Sequence, residues 1–520
     1  MRMITEAATP IRARVDSRIA YLAGIVCIFA IALGVRLYGI DAKPYWMDEI
    51  TTIDRASLPF MRLVTDSLTF HHFPTYFLLI SWLVPFGAGE ALLRLPSAVC
   101  GALTCAVAAS TGHTLGGRPA GLMTGLLLAF SPLQVTFSQE ARPSAVAVLL
   151  ITVALHGLVQ LARDPKGASL PLRDAGANRR AWATYFAATV AAVYVLGVAL
   201  FWAGAAWIAM LIIARHRDAN RRGLVRNSVL VHGAAAAITI PGYVAMFFFV
   251  HGYGRLLEGL DWIPSATLER VTADIGSVYL MLIMSPISSR LFAGAMPFMP
   301  VVVAALAGLG ALYLWRRQPL LIVLTLAVAL LPLTLLAISA VFPVWLARYL
   351  LWSAVPFFVV AGLGIAMLPR RLQSYGAAAV GTLAFLNLLP YYGIESKPRW
   401  DLAADRLHPA IARRDLVLVA DVWVPRMMNI YLSRKGAALG RAQWTFDVDA
   451  AARRLAEGKR VWAVFGRVGQ ADHENLESFL DRIAPLGAPA SEQRAGRDIV
   501  IYMFAAPAMK AGVRWRGPAG

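Results

Sequence analysis

The residues best suited to chemistry in this sequence are Asp48 and Glu49, two adjacent carboxylates that follow the first long apolar run. Adjacent carboxylates repel each other, and partial burial raises a carboxyl pKa further, so one of the pair could accept a proton from a hydroxyl group. The alternative is helix capping, because Asp48 precedes a helical pattern and acidic side chains favour helix N-termini. The pattern leaves the general-base role and the capping role equally open.

A second polar group lies in a predicted tight turn, Ser138-Gln139-Glu140-Ala141-Arg142-Pro143, between two apolar runs. Glu140 and Arg142 could contact a substrate there. They could also belong to a salt-bridged or water-facing turn, which the pattern by itself favours.

Two arginines stand at the predicted outer ends of apolar runs: Arg94, and Arg348 with Tyr349 beside it. A guanidinium group can bind a lipid phosphate through its planar fork of N–H donors. The alternative is that each side chain extends to the membrane surface only to keep its charge in water.

Two other patterns suggest a metal site. His71 and His72 are consecutive and lack a third ligand at metal spacing, so substrate binding or packing is favoured over zinc. Asp447 and Asp449 resemble a metal-binding pair, but they precede a helical pattern and are predicted to cap that helix. Whether a metal takes part stays open.

The elements that must position these residues lie in a membrane. Of 520 residues, 58% are hydrophobic and 15% are charged, whereas soluble domains carry about 25% charged residues. The three cysteines lie inside apolar runs and offer no disulfide framework. This composition excludes a disordered chain, a secreted disulfide scaffold and an ordinary cytosolic enzyme, and it predicts an α-helical polytopic membrane protein.

About 20 apolar residues are needed to cross a bilayer as a helix, and eleven runs are candidates. The first outer loop, residues 41–93, also contains an apolar stretch, 74–86, that is too short to span and is predicted as an interfacial helix. The predicted spans lie near 18–40, 94–115, 119–137, 143–162, 181–196, 198–214, 227–250, 294–315, 319–341, 349–368 and 374–392.

The net charge of +19 is mainly a topology signal. Basic residues concentrate in the segments between alternate spans, for example Arg215, Arg217, Arg221, Arg222 and Arg226. The positive-inside rule therefore predicts a multi-pass protein of the bacterial inner membrane with a cytoplasmic N-terminus and a periplasmic C-terminus. Little basic surface is left for nucleic acid, and no phosphate-binding glycine loop is present.

The composition changes after residue 392, where charges become frequent. Short β-rich runs at 416–422, 461–465 and 499–504 alternate with helical patterns at 424–433, 450–458 and 474–483. We therefore expect a transmembrane domain at 1–392 and a small periplasmic α/β domain at 393–520 with a flexible C-terminal tail.

Four short segments together resemble the GT-C glycosyltransferases, and more narrowly those of the family 39 type: protein O-mannosyltransferases, aminoarabinose lipid A transferases and rhizobial lipopolysaccharide galacturonosyltransferases. Trp262-Ile263-Pro264 and Arg348-Tyr349 extend the match weakly. One departure is visible, since the family's His-Pro-Pro reads His72-Phe73-Pro74. The four segments are Trp46-Met47-Asp48-Glu49, His72-Phe73-Pro74-Thr75-Tyr76, Leu93-Arg94-Leu95-Pro96-Ser97 and Ser138-Gln139-Glu140-Ala141-Arg142-Pro143.

The resemblance implies a GT-C fold, a polyprenyl-phosphate-linked sugar as donor, inversion at the anomeric carbon and an active site at the outer membrane face. It also implies roles for individual residues. Asp48 would be the general base with Glu49 supporting it, Glu140 a second acid near the donor, and Arg94, Arg142 and Arg348 phosphate ligands; His72 and Tyr349 complete the candidate substrate-binding set.

The relatives use a lipopolysaccharide, lipid A or another envelope glycan as acceptor more often than protein, and some use a divalent metal ion. Two other classes stay open from sequence. A transporter or flippase would carry ionisable residues near the bilayer centre, where this chain has few beyond His113, His156 and His232. In a non-catalytic envelope assembly factor, the loop acids would be structural.

Overall fold

The computed structural model describes residues 2–174, 176–216, 220–252, 263–284, 291–292, 294–466 and 475–505. Within these ranges the chain is mainly helical and contains two small sheets. Trp262, Glu474 and the predicted flexible tail from residue 506 onward lie outside the described residues.

Contacts divide the chain into two compact units. The first contains residues 1–40 and 55–393, and the second contains residues 41–54 and 394–520. The helices, in chain order, are α1 Arg2–Leu37, α2 Met47–Ala56, α3 Phe60–Thr69, α4 Thr75–Ser81, α5 Glu90–Ala129, α6 Pro132–Ser138, α7 Ser144–Arg163, α8 Pro165–Ala168, α9 Ala177–Val195, α10 Leu200–Arg215, α11 Arg221–Gly252, α12 Leu268–Tyr279, α13 Met299–Leu314, α14 Gln318–Ser339, α15 Leu351–Gly364, α16 Arg370–Leu388, α17 Pro390–Gly393, α18 Trp400–Ala412, α19 Val424–Ser433, α20 Val448–Ala456 and α21 Leu476–Ile483.

Seven helices of the described chain are long and apolar enough to cross a membrane, and the protein is a multi-pass membrane protein. Three shorter apolar helices cover Thr75–Phe86, Met299–Leu314 and Leu351–Met367. Every one of the eleven predicted spans overlaps a helix, and the long apolar stretch before residue 215 forms the two helices α9 and α10, as predicted.

The third predicted span, 119–137, is wrong in its extent. It shares the long helix α5 with the second span, and α5 is kinked at Gly117, where φ is +83°. The helix then ends at Ala129, and Ser131 is extended before Pro132 begins α6. The proline explains the break, because its ring disfavours helical geometry in the preceding residue.

Close helix packing holds the first unit together. Helix α5 packs against α1, α7 and α15, and α13 packs against α15. Gly310 of α13 and Gly364 of α15 lie where a Cβ atom would overlap the backbone of the opposite helix. The two helices approach this closely because small residues line their contact.

The second unit is an α/β structure around a five-stranded sheet. Its strands are β3 Leu416–Val419, β4 Trp444–Thr445, β5 Val461–Gly466, β6 Ser491–Arg494 and β7 Ile499–Phe504; the two-stranded sheet of the first unit is β1 Ile283–Met284 and β2 Leu291–Phe292. The spatial order in the larger sheet is β4-β3-β5-β7-β6, with β3 parallel to β4 and β5, and β7 antiparallel to β5 and β6.

Residues 41–54, which the sequence assigned to the membrane domain, group with the C-terminal segment. The Tyr45 backbone N–H donates to the Tyr431 hydroxyl at 2.6 Å, and Lys43 Nζ donates to Ser396 Oγ at 3.0 Å. The predicted N-cap is confirmed, since the Asp447 side chain accepts a hydrogen bond from the Asp449 N–H at the start of α20.

Candidate active site

Hydrogen bonds join three of the four motif segments within the first unit. The Tyr76 hydroxyl lies 3.3 Å from Ser97 Oγ, and Ser97 Oγ donates to the Arg142 carbonyl at 3.2 Å. Ser97 has a single proton to donate, so the Tyr76 hydroxyl is the donor to Ser97. This chain fixes the backbone at Arg142 relative to α4 and α5.

The end of α3 positions the histidines. His71 has a φ of +61°, the His71 N–H donates to the Leu68 carbonyl at 3.3 Å, and the His72 N–H donates to the Ser67 carbonyl at 2.9 Å. These two bonds form a Schellman motif, which ends the helix and sets the direction of the chain that follows. Burial lowers the pKa of His71.

The residue that replaces the family's first proline has a packing role. The ring centroid of Phe73 lies 5.2 Å from that of Tyr194 and 5.2 Å from that of Tyr243, both in edge-on geometry. Such pairs are a favoured aromatic arrangement. Phe73 thus ties the loop to α9 and α11, while the His72 ring packs 5.8 Å from the Phe77 ring.

Sequence reasoning missed Arg55, in the last turn of α2. Its side chain is 5% exposed, and Nε donates to Asp66 Oδ2 at 2.6 Å. The guanidinium carbon lies 4.7 Å from the centre of the Phe77 ring. Nη1 is buried and has no hydrogen-bond partner among the described residues. Buried guanidinium N–H groups are normally paired, so this atom is available to a ligand.

The electrostatics around Arg55 favour an anion. Burial lowers the pKa of Arg55, the Asp66 carboxylate raises it, and the Arg142 cation lowers it. The guanidinium groups of Arg55 and Arg142 therefore repel each other, and the Asp66 carboxylate offsets part of the positive charge of Arg55. A bound phosphate would relieve that repulsion and would accept from Nη1.

Glu140 and Arg94 are both buried, so of the two alternatives for the 138–143 turn the water-facing one is excluded for Glu140, and the salt-bridged one stays open. Arg94 Nη1 donates to the Ile40 carbonyl at 2.7 Å. Arg94 and Glu140 both lie within electrostatic range of the Tyr391 hydroxyl, which donates to Gln139 Oε1 at 2.8 Å. The acid and the cation named from the motifs thus belong to one buried polar cluster.

Arg36, near the C-terminal end of α1, is a second buried arginine that sequence reasoning missed, and it is 1% exposed. Its Nε donates to Ser138 Oγ at 3.1 Å, and its Nη atoms donate to the carbonyls of Ala32, Ala129 and Leu128 at 3.1 to 3.3 Å. All three nitrogen atoms have an acceptor, which indicates a structural role in holding α6 against α1 and α5.

The second unit contains Asp48 and Glu49, in the first turn of α2. Glu49 is fully buried, and its Oε2 accepts from Lys397 Nζ at 2.8 Å and from the Trp46 N–H at 3.4 Å. The second bond is half of a capping box, so Glu49 stabilises the start of α2. The Asp48 side chain is half-buried.

The remaining candidates lie elsewhere in the first unit. Arg348 and Tyr349 belong to the short 3₁₀ helix Ala347–Tyr349, with the Arg348 guanidinium carbon 5.8 Å from the Tyr349 ring centre. Both side chains are half-buried, whereas Trp345, Leu346 and Leu350 around them are buried.

The described part of the chain can be compared with the ligand sets that metal ions require. Across the described ranges, no three or more His, Cys, Asp or Glu residues come close enough to hold an ion.

Comparison with known proteins supports the fold. No family model and no curated protein matches the sequence. The structure is similar to ArnT from Cupriavidus metallidurans in the apo state, with a TM-score of 0.55 and 16% identity over 95% of this chain and 100% of that one. ArnT bound to undecaprenyl phosphate aligns with a TM-score of 0.53 and 16% identity over 94% and 99% of the two chains.

A weaker likeness is to AglB, the archaeal oligosaccharyltransferase from Archaeoglobus fulgidus, in complex with an inhibitory peptide and a dolichol-phosphate. Its TM-score is 0.46, with 11% identity over 86% of this chain and 69% of that chain. The two ArnT alignments span nearly the whole of both chains, and they show that this chain has the fold of ArnT, the GT-C fold.

Proposed function

We propose that this protein is an inverting glycosyltransferase that uses a polyprenyl-phosphate-linked sugar as donor. It transfers the sugar to a cell-envelope acceptor at the periplasmic face of the inner membrane. The acceptor is a lipopolysaccharide, lipid A or another envelope glycan in preference to protein.

The observation that carries this proposal is the arrangement of Arg55 and Arg142. The buried Arg55 guanidinium group has an Nη1 atom that no described residue accepts from; it lies near a second cation, Arg142, and is paired with the Asp66 carboxylate. The aromatic rings of Phe70 and Phe77 cover the Arg55 group at 5.6 and 4.7 Å. Such a site suits the phosphate of an amphipathic donor, since it offers both a preorganised positive charge and apolar surface.

The fold supports the same donor class. The similar ArnT structure was obtained with undecaprenyl phosphate bound. A lipid phosphate of that kind presents one anionic headgroup on a long apolar chain, which matches a cationic site in a multi-pass membrane protein.

The proposed residues account for each bond and for the proton in the transfer reaction. The acceptor oxygen forms a bond to the anomeric carbon from the face opposite the phosphate, and the bond between that carbon and the phosphate oxygen breaks. The electron pair leaves with the phosphate, whose charge Arg55 and Arg142 stabilise. The acceptor proton passes to the Asp48 carboxylate, which acts as general base.

Helix α2 carries two of these groups. They are Asp48, in its first turn, and Arg55, in its last turn. Glu49 acts as a positioning residue in this proposal, because its carboxylate is already bound by Lys397.

The other candidates have supporting roles in the proposal. Arg94 and Glu140 form the buried polar cluster near the donor, and His72 lines the loop next to Phe77. Arg348 and Tyr349 contact the donor from the 3₁₀ helix, where they are the accessible side chains of a buried stretch.

Mass spectrometry of envelope lipids and glycans, from cells with and without the gene, tests this function. We expect one species to lose a single sugar in the deletion strain and to regain it on complementation. The free polyprenyl-phosphate sugar should accumulate in the same cells. Identical lipid and glycan profiles in the two strains would contradict the proposal.

A further inference from the structure

A buried carboxylate anchors the segment that leads to Arg348. Trp345 Nε1 donates to Asp274 Oδ2 at 2.8 Å, and both side chains are buried. Asp274 lies on α12, and Trp345 precedes the 3₁₀ helix by two residues. The bond therefore links α12 directly to the start of the turn that carries Arg348.

Arg270, one helical turn before Asp274, extends this anchor. Its Nε lies 3.9 Å from Asp274 Oδ2, and its Nη2 donates to the Trp345 carbonyl at 3.3 Å. Its Nη1 donates to the Pro264 carbonyl at 2.6 Å. Arg270 thus joins Pro264, which ends one of the segments that extended the family resemblance only weakly, to Trp345, which lies just before the other segment, Arg348-Tyr349.

Packing alone does not require a charged side chain at position 274. Oδ1 is buried without a hydrogen-bond partner among the described residues, and such an atom costs folding free energy. The Tyr279 hydroxyl, 2.6 Å from Ser353 Oγ, and the buried Val271 and Val278 already hold α12 in place. A neutral side chain at position 274 would therefore cost less folding free energy. This indicates that the carboxylate has a role other than packing.

The charge is sensitive to pH. Burial raises the pKa of Asp274 to about 6, against the smaller opposing effects of the Trp345 hydrogen bond and the Arg270 cation. Because the folded pKa is raised, the stability that this group contributes is present at low pH and is lost as pH rises through about 6. The ionised form therefore lowers stability at neutral pH.

Among the described residues, few other charged groups lie near Asp274. Arg270 is the cation next to Asp274 on α12, Glu269 is exposed on the same helix, and Arg348 and Tyr349 lie in the adjoining turn. The other elements packed most closely against α12 are α6, β1 and α15, and their sequences contain no ionisable side chain. Titration of Asp274 is thus felt mainly by Arg270 and Trp345.

We propose that Asp274, through Trp345 and Arg270, is a positioning residue that orders the Arg348–Tyr349 turn for the donor phosphate when it is ionised and releases the turn when it is protonated. The inference rests on the proposed function, since it gives Arg348 a donor to bind. Loss of the Asp274 charge removes the attraction that holds Arg270 between the carbonyls of Pro264 and Trp345.

The first test does not require activity. Intrinsic fluorescence of the purified full-length protein is titrated from pH 5 to pH 8, and the contribution of Trp345 is isolated by subtracting a Trp345→Phe variant. We expect a change with a midpoint near pH 6, which is absent in Asp274→Asn and retained in Glu269→Gln, a matched change of an exposed acid on the same helix. A midpoint below pH 5, or one that persists in Asp274→Asn, would overturn the proposal.

The second test uses transfer kinetics. For the wild type we expect the donor KM to rise several-fold between pH 7.5 and pH 5.5 while kcat changes less. Asp274→Asn keeps an acceptor for the Trp345 N–H, so the protein should fold, with a raised KM that no longer depends on pH in this range. A wild-type enzyme that transfers sugar and shares its pH profile with Asp274→Asn would contradict the positioning role and leave the proposed function intact. An absence of transfer in every preparation would instead contradict the proposed function, and the fluorescence titration would still decide the inference.

Discussion

Two buried arginines in the first unit differ in how their nitrogen atoms are used. Arg36 has an acceptor for each nitrogen, and all of those acceptors are neutral oxygens of α1, α5 and α6. Arg55 has one carboxylate partner, two aromatic rings and an Nη1 atom that no described residue accepts from. A guanidinium group whose nitrogen atoms all have acceptors stabilises a fold. One that lacks an acceptor and lies beside a second cation is suited to bind an anion.

The largest expected effect concerns the carboxylate on the same helix as Arg55. Asp48→Asn removes the proposed base and should reduce transfer by about 10² to 10⁴-fold, with thermal stability and donor affinity unchanged. Purified protein assayed with a polyprenyl-phosphate sugar provides the measurement. The matched control is Asp41→Asn, which changes an exposed acid of the same loop and should retain activity. Near wild-type turnover in Asp48→Asn would remove this residue from the mechanism.

The structural role of Arg36 predicts a loss of stability. Arg36→Met leaves the Leu128 and Ala129 carbonyls without their donor, at a cost of about 1 to 3 kcal/mol for each buried group. The apparent Tm should fall by several degrees, while the remaining folded protein binds donor normally. Arg62→Met, at an exposed position of α3, is the control and should leave Tm almost unchanged. If Arg36→Met had normal stability but no longer bound donor, Arg36 would be a donor ligand and its structural role would be contradicted.

A third variant tests whether the phosphate site extends to Arg348. Arg348→Ala should weaken donor binding by about tenfold, which is the value of one charge-assisted hydrogen bond, without the stability loss expected for Arg36. Isothermal titration or a competition assay with undecaprenyl phosphate measures it. Unchanged affinity would exclude Arg348 from the phosphate contacts and leave Arg55 and Arg142 as its ligands.

The smallest effect is expected far from both arginines. Asp447→Ala removes the N-cap of α20 and should cost about 1 kcal/mol, whereas Asp447→Asn preserves an acceptor for the Asp449 N–H. Chemical denaturation should show the difference between the two variants, and transfer should be unaffected in both. A loss of transfer in Asp447→Asn would place chemistry in the second unit beyond residues 41–54.

Local patterns predicted the elements well. The strand Ile499–Phe504 and the helix Val424–Ser433 have the bounds that their periodicity indicated. Helix α18 was missed because Pro409 interrupts its pattern, and β4 has only two residues, too few for a recognisable alternation. The pairing of β4 with its neighbour β3, and not its own sequence, therefore defines this strand.

The site was predicted only in part, since its decisive contacts are distant in sequence. The motifs named Arg94, Glu140 and Arg142, and the structure places all three in the first unit near the described polar clusters. Neither the pairing of Glu49 with Lys397, 348 residues later, nor the missing partner of Arg55 Nη1 has a sequence signal. Both depend on tertiary packing, which a single sequence does not display.

Equilibrium binding of undecaprenyl phosphate to the purified protein tests the central claim most directly, with wild type, Arg55→Lys and Arg62→Lys compared side by side. Lysine keeps the charge at 55 but loses the planar fork that serves Asp66 and a ligand together. We expect Arg55→Lys to weaken binding by about tenfold or more and Arg62→Lys to bind as the wild type does. Equal affinity of the wild type and Arg55→Lys would contradict the assignment of the Arg55 site to the donor phosphate.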